Sequence, residues 1–477
     1  MDSGKARRLI VCLCYGPGVS FRRRLLALFA AALGVRLLWV VLEPATYPVA
    51  DETMWLSWGL HTLPSPEVRF SPLALRFIFH PPLYIYFIGV LQTAFGSLAA
   101  VKIGQCLLGA SLVPALALVG RRVSGDATGL TAAAIAAFYP ELVWFSSHFW
   151  AETLFTALLW WGMERLVAAD EASSSRAAAL AGVLLGLAVL TRETVLYFVP
   201  FAALWLAWRG AGHPAGRGLS RAGLRRAAWL LATSLLVVLP WTVRNELVFG
   251  AFVPVSTAGA LNLWQGNTRL SRQQVYQEYW AVHGKIEKYQ LARRKGSEAI
   301  LARQPLWIFE KLRDEMPEYW AAHGQPIVHL ERGAYDDVPR AWALAAVALV
   351  LAPYLAVLVL FVAGIAVLPR KRVVVLLLGF LVYYMLLHVA SHGYPRYRVP
   401  SLPVLFLLAA HGLCAWRRRA PLGPRNRVAA ALTALVLALS VGPSLLSWLR
   451  DPWPPTWTVN SPADAPGTND GAGSDAP

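Results

Sequence analysis

The sequence predicts an all-α polytopic membrane protein of about eleven transmembrane helices, with extracytoplasmic juxtamembrane helices packed against them. Three observations predict it. Hydrophobic residues make up 57% of the 477-residue chain and charged residues 15%, where a soluble domain carries roughly a quarter. The apolar residues are gathered into runs long enough to cross a hydrocarbon core of about 30 Å. The basic clusters fall between those runs, on one side only. Within lipid every backbone polar group needs an internal partner, so each run is read as a helix.

The elements follow in order. Residues 1–24 form a cytoplasmic N-terminal tail ending in Arg22-Arg23-Arg24. No cleavable signal peptide is evident; the first run is long enough to remain as an anchor. Seven runs then lie near Leu25–Leu42, Val101–Val119, Leu130–Val143, Phe149–Val167, Ala178–Leu190, Val195–Trp208 and Ala227–Val243. Four more lie near Ala341–Leu368, Val373–Ala390, Leu402–Trp416 and Val428–Trp448. With eleven spans the clusters at Arg22–Arg24, Arg121-Arg122, Arg209 to Arg226, Arg370–Arg372 and Arg417–Arg419 share the cytoplasmic side. The main body is thus 25–450, with long outer loops at 43–100 and 244–340. The second loop carries helical patterning around Gln273–Lys295 and Pro305–Trp320, which predicts a helical layer on the membrane surface. Residues 451–477, rich in Pro, Gly, Ala and Asp, are read as a disordered extracytoplasmic tail.

The net charge of +17 is explained by topology, which excludes nucleic acid as the partner. Cys12, Cys14, Cys106 and Cys414 give no disulfide framework, and an isolated Cys-x-Cys is weak evidence for a metal. No internal repeat is visible, which argues against an inverted-repeat transporter.

The candidate functional residues cluster on the outer side. Asp51-Glu52 follows the first span; neighbouring helical residues point about 100° apart, so at most one of the two aims at a given atom. The plainer alternative is a solvated acid, or a cap for a helix over Thr53–Leu60. In His80-Pro-Pro-Leu-Tyr84 the prolines fix His80 at a helix start, where an anion is favoured; the alternative is simple punctuation. Arg36 lies inside the first span and either snorkels outward or pairs with Glu43. Arg192-Glu193 reads as an outer-edge ion pair, Glu152 as a helix-start acid, and Arg244, in Pro-Trp-Thr-Val-Arg-Asn, as an interface anchor. Tyr394-Pro-Arg396-Tyr-Arg398-Val-Pro breaks the positive-inside pattern. Its arginines suit a phosphate through paired planar donors, or lipid headgroups in general.

Together these pieces resemble the membrane-embedded glycosyltransferases of the C superfamily (GT-C), in the branch of protein O-mannosyltransferase-like and aminoarabinose transferase-like enzymes. The resemblance rests on Asp51-Glu52, His80-Pro-Pro-Leu-Tyr, Pro240-Trp-Thr-Val-Arg-Asn, Arg396-Tyr-Arg-Val-Pro-Ser-Leu-Pro and the run from Gly182 to Arg192. It implies transfer of a sugar from a polyprenyl-phosphate carrier to an acceptor hydroxyl outside the cytoplasm, with inversion. Asp51 matches the catalytic first-loop acid, with Glu52 beside it. His80, Arg396, Arg398 and Arg244 are the candidates for the donor phosphate, and Tyr84, Glu152, Arg192 and Tyr397 support them. Some relatives use a divalent cation, so Mg or Mn is left open; Glu52 and Glu152 are ligands or structural acids, and no compact ligand cluster appears. The expected partners are the lipid-linked sugar, an acceptor protein, lipid or glycan, and membrane lipids, in a bacterial plasma membrane. The competing readings are a transporter or flippase of a lipid-linked sugar, or a non-catalytic membrane scaffold.

Overall fold

The computed structural model describes residues 20–43, 48, 51–63, 71, 73, 75–209, 218–335, 338–419 and 424–450. Of the expected tails 1–24 and 451–477, residues 1–19, with Cys12 and Cys14, and 451–477 lie outside the described residues, and residues 21–24 open the first helix. The first part of the chain forms α1 (Phe21–Leu42), α2 (Asp51–Ser57, continued by a π turn to Thr62), α3 (Leu83–Phe95), α4 (Leu98–Ser124), α5 (Asp126–Phe138), α6 (Pro140–Trp144), α7 (Glu152–Glu171), α8 (Ser175–Thr191), α9 (Phe198–Ala207) and α10 (Arg221–Phe249). A two-residue antiparallel ladder, Trp208–Arg209 against Gly218–Leu219, separates α9 from α10. An outer layer follows: α11 (Ala258–Asn267), α12 (Arg272–Ala281), α13 (Lys285–Leu301), α14 (Trp307–Tyr319) and α15 (Gln325–Glu331). The chain then returns through α16 (Arg340–Ala366), α17 (Arg372–Ser391), a 3₁₀ segment Pro395–Ser401, α18 (Leu402–Arg417) and α19 (Pro424–Arg450).

The eleven apolar windows fall on these helices, with Leu130–Val143 divided at Tyr139 between α5 and α6. Seven segments are long and apolar enough to cross a membrane: Phe21–Leu42, Leu98–Ser124, Arg221–Phe249, Arg340–Ala366, Arg372–Ser391, Pro395–Arg417 and Asn426–Ser447. The other four windows lie on α5, α7, α8 and α9. At 1.5 Å per residue, the 13 residues of α5 and the 10 of α9 fall short of about 30 Å. Such pieces reach across only with help from their neighbours, so composition fixes a polytopic bundle and not a count of eleven crossings. The helix expected to start after Pro81-Pro82 is α3, whose apolar stretch is only 13 residues long.

Helix pairs α4–α5, α7–α8, α8–α10 and α16–α18 form the bundle. The last pair touches backbone to backbone: a Cβ on Gly364 would sit 2.1 Å from Leu408 O, and one on Gly412 2.5 Å from Gly364 N. Close approach through small residues suits helices that gain no hydrophobic drive from a lipid solvent. Arg36 neither snorkels nor pairs with Glu43. It is fully buried and donates to Ala32 O, Ala136 O and Ala137 O at 3.0–3.2 Å. Ala136 and Ala137 belong to the last turn of α5, whose carbonyls lack partners within their own helix; Arg36 caps that broken end.

The basic connections meet at one end of the bundle. Lys371 Nζ donates to Arg122 O, Arg122 pairs with Glu164 and Glu171, and Arg372 pairs with Asp170. Asp51, Glu152, Arg192 and Arg396 gather in a second cluster, described next.

Candidate active site

Helix α2 starts at Asp51, two residues before the Thr53 expected from sequence. The two acids therefore occupy its first turn, where carboxylates oppose the positive end of the helix dipole. Their side chains diverge. Asp51 Oδ2 accepts from Arg396 Nη2 at 3.0 Å and keeps 37% of its side chain exposed. Glu52 points inward and is buried; its Oε1 accepts from Phe149 N at 2.8 Å.

Arg396 bridges two acids. Its Nε lies 3.4 Å from Glu152 Oε1, while Arg192 Nη1 donates to that same buried oxygen. Arg192 therefore pairs with Glu152 and not with its neighbour Glu193, which accepts from Ser256 Oγ at 2.9 Å. The Arg396 guanidinium lies 4.0 Å from the Trp150 ring centroid and 5.4 Å from that of Tyr397; Arg192 lies 5.5 Å from Tyr397. Aromatic faces attract a guanidinium and limit its rotation. Burial alone would push the Asp51 carboxyl up, but Arg396, followed by His80, holds it below the ordinary carboxylate value. Asp51 is thus ionised across the physiological range.

His80 is delivered by a segment held by three hydrogen bonds to its carbonyls. Arg244 Nη1 donates to Phe77 O at 2.9 Å, Thr257 N to Ile78 O at 3.1 Å, and Ala258 N to Phe79 O at 3.0 Å. The ring lies against Trp55 of α2 at 4.5 Å, tilted by 31°, and its Nε2 has no hydrogen-bond partner among the described residues. Burial drives its pKa down to about 4 against the pull of Asp51, so the ring is neutral at pH 7. Tyr84, just beyond, donates to Gln105 Oε1 at 2.7 Å and meets Trp55 edge-on; it packs behind His80.

The structure brings Asp51, His80, Glu152, Arg192, Arg396 and Tyr397 together. Two arginines expected beside them are engaged elsewhere. Arg398 is buried and donates to Tyr319 O, Ala321 O and His323 O at 2.6–3.4 Å. A 3₁₀ helix turns 120° per residue, so positions 396 and 398 cannot face the same point. Arg244 serves Phe77 O and Asn245 Oδ1 and stands behind the segment that carries His80. No group of three or more His, Cys, Asp and Glu side chains with metal-holding geometry occurs among the described residues.

Two participants were missed by sequence reasoning. Trp150 faces Arg396, and His329 of α15 reaches Glu52. The first was hidden as an ordinary interfacial tryptophan. The second sits in the outer loop with no flanking motif.

Residues 79–244, just over a third of the chain, match the dolichyl-phosphate-mannose-protein mannosyltransferase family. No curated protein matches the sequence. Among solved structures, the chain is similar to the oligosaccharyltransferase of Archaeoglobus fulgidus in its apo form. That match has a TM-score of 0.51 at 15% identity and covers 93% of this chain and 59% of the other. The same enzyme tethered to an acceptor peptide gives 0.50 at 14% identity, covering 93% and 60%. ArnT from Cupriavidus metallidurans bound to undecaprenyl phosphate gives 0.44 at 14% identity, covering 92% and 66%. The chain spans about three fifths of the length of the archaeal enzyme it matches. The match over residues 79–244 makes that segment similar to the mannosyltransferase family, and the whole chain shares the fold of the archaeal oligosaccharyltransferase.

Proposed function

We propose that the protein is an inverting glycosyltransferase that moves a sugar from a polyprenyl-phosphate carrier to an acceptor hydroxyl at the outer face of a bacterial plasma membrane. The observation that carries this is the ionised Asp51 carboxylate, open on one side and held by an arginine stacked between aromatic rings. The name of the family matched over residues 79–244 supports a lipid-linked donor.

In the proposed step the acceptor oxygen attacks the anomeric carbon as its proton passes to Asp51. The bond from that carbon to the phosphate oxygen breaks, and its electron pair leaves on the polyprenyl phosphate. A displacement from the face opposite the leaving group inverts the centre. A positioned base of this kind contributes about 10²–10⁴-fold. The phosphate leaves without protonation, so cations that meet its growing charge matter more than an acid. Arg396 is suited to meeting that charge. Its one hydrogen bond among the described residues goes to Asp51, which leaves further donors in a preset plane. Neutral His80 can donate a hydrogen bond but brings no charge.

A divalent cation fits poorly here. Asp51 and Glu152, the acids nearest the proposed reaction, already face two guanidiniums. In this reading arginine supplies the cationic role of Mg or Mn.

The test is release of free polyprenyl phosphate from a panel of polyprenyl-phosphate sugars by the purified protein in lipid. Wild type should release it and Asp51→Ala should not. Release unchanged in Asp51→Ala would sink the proposed base. Tight donor binding without release, whichever acceptor extract is added, would favour the transporter or scaffold instead.

A further inference from the structure

Glu52 and His329 form a buried pair that the proposed chemistry does not use. Glu52 Oε2 lies 3.4 Å from His329 Nε2, while Glu52 Oε1 accepts from Phe149 N. The two residues are 277 positions apart, one on α2 and the other on outer-layer helix α15. Helix α2 has only seven residues before its π turn, too short to hold a fixed pose through its own hydrogen bonds. Its direction must come from tertiary contacts. Of these, Glu52 is the one adjacent to Asp51.

The proton arrangement is set by the surroundings. With Gln325 Nε2 3.2 Å from His329 Nδ1, the tautomer that carries the ring hydrogen on Nε2, facing Glu52, satisfies both contacts. Burial lowers the His329 pKa, although Glu52 pulls it back up. The ring is fully buried in a box made by Trp144 at 4.7 Å, His148 at 5.1 Å and Trp150 at 6.1 Å. Trp150 also stacks on Arg396. One box therefore touches both the acid-bearing helix and the arginine that holds the acid.

We infer that His329 is a positioning residue: through Glu52 it fixes the angle of α2 and so the aim of Asp51, which couples the outer layer to turnover. This rests on the proposed role of Asp51. Displacements of about 1 Å at a reacting group cost on the order of 10²-fold in rate, so a tether of this kind acts on kcat and leaves donor binding alone.

The experiment uses the full chain in lipid nanodiscs, with wild type, Asp51→Ala, His329→Phe and His329→Gln. Phe fills the aromatic box without a donor; Gln retains an N–H that can reach Glu52. His329→Phe should lower kcat at least about 10-fold with the donor KM within about twofold, and hydrogen exchange across 51–57 should quicken. His329→Gln should recover kcat to within about threefold of wild type. Two results would overturn the inference: His329→Phe turning over like wild type while Asp51→Ala is dead, or Phe and Gln losing activity equally with unchanged exchange at 51–57. An active Asp51→Ala would instead remove the reading on which the inference stands.

Discussion

Replacing Arg396 by alanine tests the centre of the site most directly, because it removes one cation from two carboxylates at once. The Arg396–Asp51 contact is 3.0 Å long and the acid is 37% exposed. Screening there lies between bulk water and a protein surface, so the lost attraction is about 1–4 kcal/mol. On the proposed reading, losing the main cation facing the departing phosphate costs about 10²–10³-fold in kcat, as for loss of one oxyanion donor. The sign of the pH effect also follows. Burial raises the Asp51 carboxyl and Arg396 is the largest opposing influence. Without it the carboxyl titrates at higher pH, and more of it is protonated as pH falls. Wild type should keep its activity down to pH 5, whereas Arg396→Ala should show an acid limb shifted upward. Arg396→Lys, a point charge without a planar fork, should fall between them. The assay is polyprenyl phosphate release from labelled donor in nanodiscs, followed from pH 4.5 to 8. An Arg396→Ala profile that parallels wild type, however reduced in height, would refute the coupling of this arginine to Asp51.

Three further outcomes are expected. Glu152→Gln leaves two guanidiniums facing a neutral buried amide, and breaking a buried pair costs about 3–5 kcal/mol; the thermal midpoint of the extracted protein should fall, which a melting scan in detergent reads. His80 has an unfolded value near 6.5 and a folded value of about 4. It therefore contributes stability that is complete above pH 6.5 and is lost as pH falls toward 4, and His80→Phe should flatten that part of a stability–pH curve. Activity should survive dialysis against EDTA within about twofold; a loss restored by Mg or Mn would overturn the view that arginines carry the cationic role.

Much of the fold is legible because lipid leaves a segment few options: an apolar run becomes a helix, and all eleven runs are helices here. The cluster is legible by residue type, less so by aim. Asp51, His80, Glu152, Arg192 and Arg396 were all identifiable, yet nothing in the sequence pairs Arg192 with Glu152 over its neighbour Glu193. Arg396 and Arg398 look equivalent as Arg-Tyr-Arg; the 3₁₀ turn makes them opposites, one open to the site and one bonded to main-chain carbonyls. Arg244 is turned away from the cluster, toward Phe77 O and Asn245 Oδ1. His329 was invisible because its partner lies 277 residues away and its own segment has no pattern.

The pairing of Asp51 with Arg396 carries a consequence for the order of events. A base already bonded to a guanidinium is a weak base, and a guanidinium already bonded to a carboxylate is a weak trap for phosphate. Both weaknesses are relieved together if an arriving phosphate draws the Arg396 plane toward itself, since the loosened Asp51 then gains basicity as the leaving group gains its cation. Glu152 eases this exchange. It is buried, holds Arg192 as well, and keeps Arg396 anchored through Nε while Nη2 changes partner. The stacking on Trp150 fixes the plane within which that change occurs. On the proposed reading, a site built in this way keeps its acid quiet until the donor is present, which a solvent-exposed carboxylate beside a free arginine would not do.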